Sequence, residues 1–146
     1  HAKNVPEKSL YTVPDSLHRA IRAQFDAAFC GDEKAKAVIG RIWKDHGYLM
    51  DPHTACGWAA AEDYTARTGD TRPTVVLSTA SVYKFPAAVL SAIGGDGSGD
   101  EFAQMDRLAA LSGLPVPPAL AALREKPVRH TAVLNPDEML PFVLHL

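Results

Sequence analysis

Two short polar groups in this chain could do chemistry. Asp51, His53 and Thr54 fall where one helix ends and another begins. The backbone N–H groups of a helix N-terminus favour anions, so this turn reads either as an anion site or as an ordinary capping turn. Ser78, Thr79 and Ser81 follow the apolar run Thr74-Val75-Val76-Leu77. That run reads as a parallel strand buried on both faces. Hydroxyls at the carboxyl end of such a strand stand where open α/β sheets bind ligands, or they cap the helix that follows.

Other chemistries are poorly supplied. The six histidines, at 1, 18, 46, 53, 130 and 145, are scattered and none meets another His or Cys at metal-ligand spacing. Gly94 to Gly99 has the glycine content of a phosphate loop, but it follows a helix and lacks the GK[ST] ending, so it reads as a linker. A net charge of −2 without a Lys/Arg-rich run gives no footprint for nucleic acid. No stretch approaches the roughly 20 apolar residues that span a bilayer, and no signal peptide opens the chain. Cys30 and Cys56 read as two reduced, partly buried thiols of a cytosolic protein.

The elements that must position these groups are mostly helical. Leu17, Ile21, Phe25 and Phe29 recur every four residues and predict a helix from Asp15 or Ser16 to near Gly31. Asp32 is expected to N-cap a second, with Ala35, Val38, Ile39, Ile42 and Trp43 as its apolar face and Gly47 as its left-handed cap. Thr54 caps a third that carries Ala55, Trp58, Ala59 and Tyr64 and ends at Gly69. Further helices are expected over Phe85 to Ile93, Glu101 to Ser112, Ala119 to Arg124 and from Asn135 onward, with a small edge strand over His130 to Leu134. The chain of 146 residues thus divides into an irregular segment (1–14), a helix-helix-helix-strand-helix unit (15–93), a Gly-rich flexible linker (94–100) and a helical tail (101–146). The class is α/β, helix-rich with few parallel strands. A buried parallel strand needs neighbours that this chain scarcely offers, and the chain opens at His1 rather than Met. A piece of a longer protein is therefore expected.

The block Gly47-Tyr48-Leu49-Met50-Asp51-Pro52-His53-Thr54-Ala55 resembles the GYLxDPHTA motif of bacterial threonine synthases. Val75 to Phe85 is similar to their VVLSTAxPxKF segment, with Val82 where that family carries proline. The resemblance runs from about Ser9 to Leu146 and implies the C-terminal portion of a pyridoxal-phosphate (PLP) enzyme of fold type II, part of its large domain. Such enzymes convert O-phosphohomoserine and water to threonine and phosphate in threonine biosynthesis, in the cytoplasm. It further implies that Thr79 hydrogen-bonds the pyridine nitrogen, with Ser78 as a neighbour that shares the task. Asp51, His53 and Thr54 would lie near the cofactor or the substrate entrance, and Lys84 near the substrate phosphate. The lysine motif that holds the cofactor and its phosphate loop are absent from these residues. The chain alone is accordingly expected to be inactive without the N-terminal part of the same enzyme; the alternative is a stand-alone, non-catalytic binding module that reuses the fold.

Overall fold

A computed structural model describes residues 12–145. The irregular segment expected at the N-terminus lies outside the described residues as far as position 11.

The core is made by two helices and a shorter pair laid beside them. Helix α2 spans Asp32–His46, and α3 spans Pro52–Thr68. Gly31 takes the N-cap position of α2 in place of the expected Asp32, which with Glu33 lies in the first turn; Lys44 and His46 close the helix, and both ends complement its dipole. Gly47, at φ +65°, then turns the chain in the left-handed region, its N–H donating to the Trp43 carbonyl at 2.9 Å. The turn lets α2 and α3 pack together. Val38, Ile39 and Ile42 of α2 meet the small face of α3, where Ala55 and Ala59 are fully buried. Each large aliphatic side chain so buried contributes roughly 1.5–3 kcal/mol.

Helix α4, Pro86–Ala92, and helix α5, Glu101–Ser112, complete the core with Val89, Leu90, Met105 and Leu108. Helix α4 packs on both α2 and α5. The Gly-rich stretch between them is held by the side chain of buried Gln104, whose Nε2 donates to the carbonyls of Gly97 at 2.9 Å and Gly99 at 2.8 Å. Gly95 N donates to Leu90 O at 2.8 Å, closing the end of α4. Asp100 caps α5 by accepting from the N–H groups of Phe102 and Ala103.

Three expectations are corrected. The first helix, α1, runs only from Asp15 to Arg22 and buries nothing; Phe25 and Phe29, at 68% and 88% exposure, lie beyond it. Its apolar stripe meets no core, and without burial nothing offsets the entropy of ordering further turns. No strand forms among the described residues, so the few parallel strands of the expected α/β class are not present. Thr74 to Leu77 has no partner strand, and Val75 and Leu77 are 83% and 76% exposed rather than buried. A β-branched run supplies strand propensity but not the ladder that a strand requires. The edge strand expected over His130 to Leu134 is likewise irregular. After α5 the chain carries α6 over Pro118–Ala121, 3-10 turns over Ala122–Glu125 and Pro136–Glu138, the second with a capping box between Asn135 and Glu138, and α7 over Met139–Leu144, with irregular chain between them. Every residue from Ala121 to His145 is exposed.

One contact sets how closely α2 and α4 approach. A Cβ at Gly40 would come within 2.5 Å of the Ala92 carbonyl oxygen. Alanine ordinarily stabilises a helix interior over glycine by roughly 0.5–1 kcal/mol. Here Gly40→Ala is expected to destabilise by about 1–3 kcal/mol, because backbone must move to admit it. Urea unfolding checks the sign; a stabilised variant would show that the two helices separate freely.

Candidate functional site

The turn between α2 and α3 is built around one carboxylate. Pro52 cannot donate an N–H and fits the first helical position, so the preceding residue, Asp51, becomes the N-cap. Thr54, expected as the cap, instead lies inside the first turn. Asp51 is fully buried. Its Oδ1 accepts the backbone N–H of His53 at 2.9 Å and lies 3.0 Å from His53 Nδ1. Its Oδ2 accepts the hydroxyl proton of buried Thr54. The capping reading of this turn is therefore correct in kind, but its cap is the aspartate.

A buried carboxylate is held ionised only if its partners outweigh the loss of water. Burial pushes the Asp51 pKa up, while hydrogen bonds from Thr54 and from the backbone and ring of His53 pull it down; the net direction is below the ordinary carboxylate value. His53 itself is exposed, its ring tilted against Phe85 with centroids 4.9 Å apart. The turn is thereby joined to the start of α4.

The hydroxyl segment meets this turn at one point. Ser78 Oγ lies 3.4 Å from Thr54 Oγ1, at the outer limit of hydrogen-bond reach. Ser78 and Thr79 are both exposed. Ser81 serves the chain itself: its Oγ accepts from Tyr83 N at 3.3 Å and caps the 3-10 turn Val82–Lys84. Of the two readings left open for these hydroxyls, Ser81 takes the cap, while Ser78 and Thr79 stay available at the surface. Tyr83 anchors the turn, buried, with its hydroxyl donating to the Leu114 carbonyl at 2.5 Å. Lys84, on the same turn, is exposed.

An open groove of about 580 Å³ runs from Thr54 between α3 and the Thr74–Val76 segment, lined by Tyr48, Trp58, Thr65 and Ala66 as well. A larger cleft of about 770 Å³ lies on the other side, lined by Asp26, Phe29, Tyr64, Arg67, Asp70 and Arg72 among others. Its charges satisfy one another, Arg67 with Asp26 and Arg72 with Asp70. It offers no unpaired group of that set to a ligand, and the Thr54 groove is the better candidate. Sequence patterning missed Tyr48, Trp58 and Thr65 as groove residues, because only the folded turn brings Tyr48 over α3. Cys30 and Cys56 are free and half-buried, burial pushing the Cys56 thiol up with the neighbouring Cys30 adding to the shift. Among the described residues no group of three or more His, Cys, Asp or Glu is placed to hold a metal ion. No helix among them is long and apolar enough to cross a membrane.

Asp51 makes the turn sensitive to acid in a defined direction. Its folded pKa lies below the ordinary 3.8, so its stabilising contribution is present above that value and is lost as pH falls through the folded pKa. Asp51→Asn is expected to cost about 1–3 kcal/mol at neutral pH. Chemical unfolding of both proteins down to acid pH checks this: the gap between them should close below about pH 4. A gap independent of pH would mean that the carboxylate's charge contributes nothing.

The family model for the threonine synthase C-terminal region matches residues 54–140. Threonine synthase of Pseudomonas aeruginosa is 37% identical over 78 residues, which is 53% of this chain and 16% of that protein. Human threonine synthase-like 2 is 31% identical over 80 residues, 55% of this chain and again 16% of the relative. In structure, the chain is similar to the PLP-bound threonine synthase of Brucella melitensis, with a TM-score of 0.59 and 27% identity over 77% of this chain and 26% of that one. The chain thus spans about a sixth of the length of these curated relatives. The matched residues 54–140 include Thr54, the hydroxyl segment and helices α4 and α5, and with a solved structure alike over most of the chain, the chain belongs to the threonine synthase C-terminal family.

Proposed function

We propose that this chain supplies one wall of the active site of a PLP-dependent threonine synthase, an enzyme that converts O-phosphohomoserine and water to threonine and phosphate in the cytoplasm. The observation that carries the reading is the pair of exposed hydroxyls, Ser78 and Thr79, opening beside the buried Thr54–Asp51 turn. The donor set fits a pyridine ring. A hydroxyl can donate to an unprotonated aromatic nitrogen, whereas a carboxylate there would hold that nitrogen protonated. Asp51, the carboxylate of this turn, has both oxygens engaged within the protein and faces no open space.

In this reading Thr79 holds the ring nitrogen and Ser78 supports it. Bound there, the cofactor supplies an electron sink for the substrate's carbanion. His53, fixed by Asp51 and Phe85, borders the entrance, with Thr54 behind it. The exposed ammonium of Lys84 on the adjoining turn draws the substrate's phosphate. The lysine that binds the cofactor and the loop that binds its phosphate come from the remainder of the enzyme, which is this chain's partner.

Two measurements test this. The chain mixed with pyridoxal phosphate and O-phosphohomoserine should release no inorganic phosphate; turnover by the chain alone would overturn the one-wall reading. In the complete enzyme, Thr79→Val should keep the fold and lower kcat about three- to tenfold, the scale of one hydrogen bond. Unchanged kinetics would remove Thr79 from the site.

A further inference from the structure

The hydroxyl protons of this wall can be followed outward from the buried charge. An ionised carboxylate only accepts hydrogen bonds, and a threonine hydroxyl has a single proton to give. The Thr54 proton goes to Asp51 Oδ2. Thr54 Oγ1 lies 3.4 Å from Ser78 Oγ, and because its one proton is given to Asp51, a bond between these two hydroxyls is one that Ser78 donates. Ser78 then turns lone pairs toward the surface. Thr79 makes no hydrogen bond with the described residues and is exposed, so its proton is available to a ligand.

The two oxygens of Asp51 divide the work. Oδ1 caps α3 through the His53 N–H, and Oδ2 meets Thr54. The cap needs only the first. We propose that Asp51 is a positioning residue: through Thr54 it directs the Ser78 proton inward, so that the wall presents an acceptor at Ser78 and a donor at Thr79. This rests on the reading of the wall as a cofactor-ring site. An aromatic nitrogen is the partner that Thr79 can serve, while Ser78 is set to receive an N–H or O–H. The negative charge stays two hydroxyls away from the ring, where it orients donors without itself offering a carboxylate to the nitrogen. The Thr54–Ser78 link is long for an O–H···O bond, so it sets direction more than it adds stability.

The chain itself provides the first test. Carboxyl carbon NMR follows the titration of Asp51, with His53 at Oδ1 and Cys56 one turn along α3 as the titrating neighbours whose own transitions must be tracked. Thr54→Val keeps the cap and removes the Oδ2 partner; it should raise the Asp51 midpoint by about one pH unit, and Thr54→Ser should restore it. Ser78→Ala should raise the midpoint by a smaller step, about a few tenths of a unit. A midpoint unmoved by Ser78→Ala would overturn the relay. The holoenzyme containing this sequence provides the second, loaded with pyridoxal phosphate carrying nitrogen-15 in its ring. Thr79→Val should shift the ring nitrogen resonance and Ser78→Ala should leave it nearly in place. The reverse pattern would overturn the assignment of donor and acceptor. If neither variant moves the ring signal while the Asp51 titrations behave as expected, the relay holds and the cofactor-wall reading fails.

Discussion

A single buried carboxylate ties the parts of this molecule together. Asp51 caps α3, fixes the His53 ring and holds the Thr54 hydroxyl. Burying a charge costs several kcal/mol unless hydrogen bonds replace the lost water. The sequence Asp-Pro-His-Thr answers that cost locally: proline removes a donor that would have no place, and the next two residues turn theirs back to the aspartate. The helix cap and the site turn therefore share one side chain, the cap using Asp51 Oδ1 and the Thr54 hydroxyl using Oδ2.

Around that centre, stability and chemistry occupy different residues. Ile39, Ile42, Ala55, Leu90 and Leu108 fill the core and reach no groove. Ser78, Thr79 and Lys84 are exposed and contribute little packing. Thr54 belongs to both sets, buried against the core and bordering the groove. Tyr83 mediates differently: it anchors the turn after the hydroxyls by a bond to the Leu114 carbonyl, far along the chain.

Helices α2 to α5 were legible from sequence because their signals are local. Gly47 and Gly69 stop α2 and α3 in the left-handed region, Asp32 and Glu33 favour a helix start, and apolar spacing marks the buried face. The errors came where the outcome depends on what lies opposite. Leu17, Ile21, Phe25 and Phe29 have helical spacing, but no surface receives them. Val75 to Leu77 have strand composition, but no strand pairs with them. The cap moved from Thr54 to Asp51 because Pro52 fits the first helical position, which places the cap one residue before it. The site's residue types were visible from the two motifs; the link between Thr54 and Ser78 was not, since it depends on how the segment after α3 folds back.

The exposed Thr74–Leu77 run has a practical consequence for the isolated polypeptide. A short β-branched segment with its backbone unpaired and its side chains in water is a template for strand addition. Two copies meeting there would satisfy each other's ladders and cover Val75 and Leu77 together. Pairing of two copies at this run would cover the residues immediately before the hydroxyl pair, so such pairing and blocking of the site would be the same event.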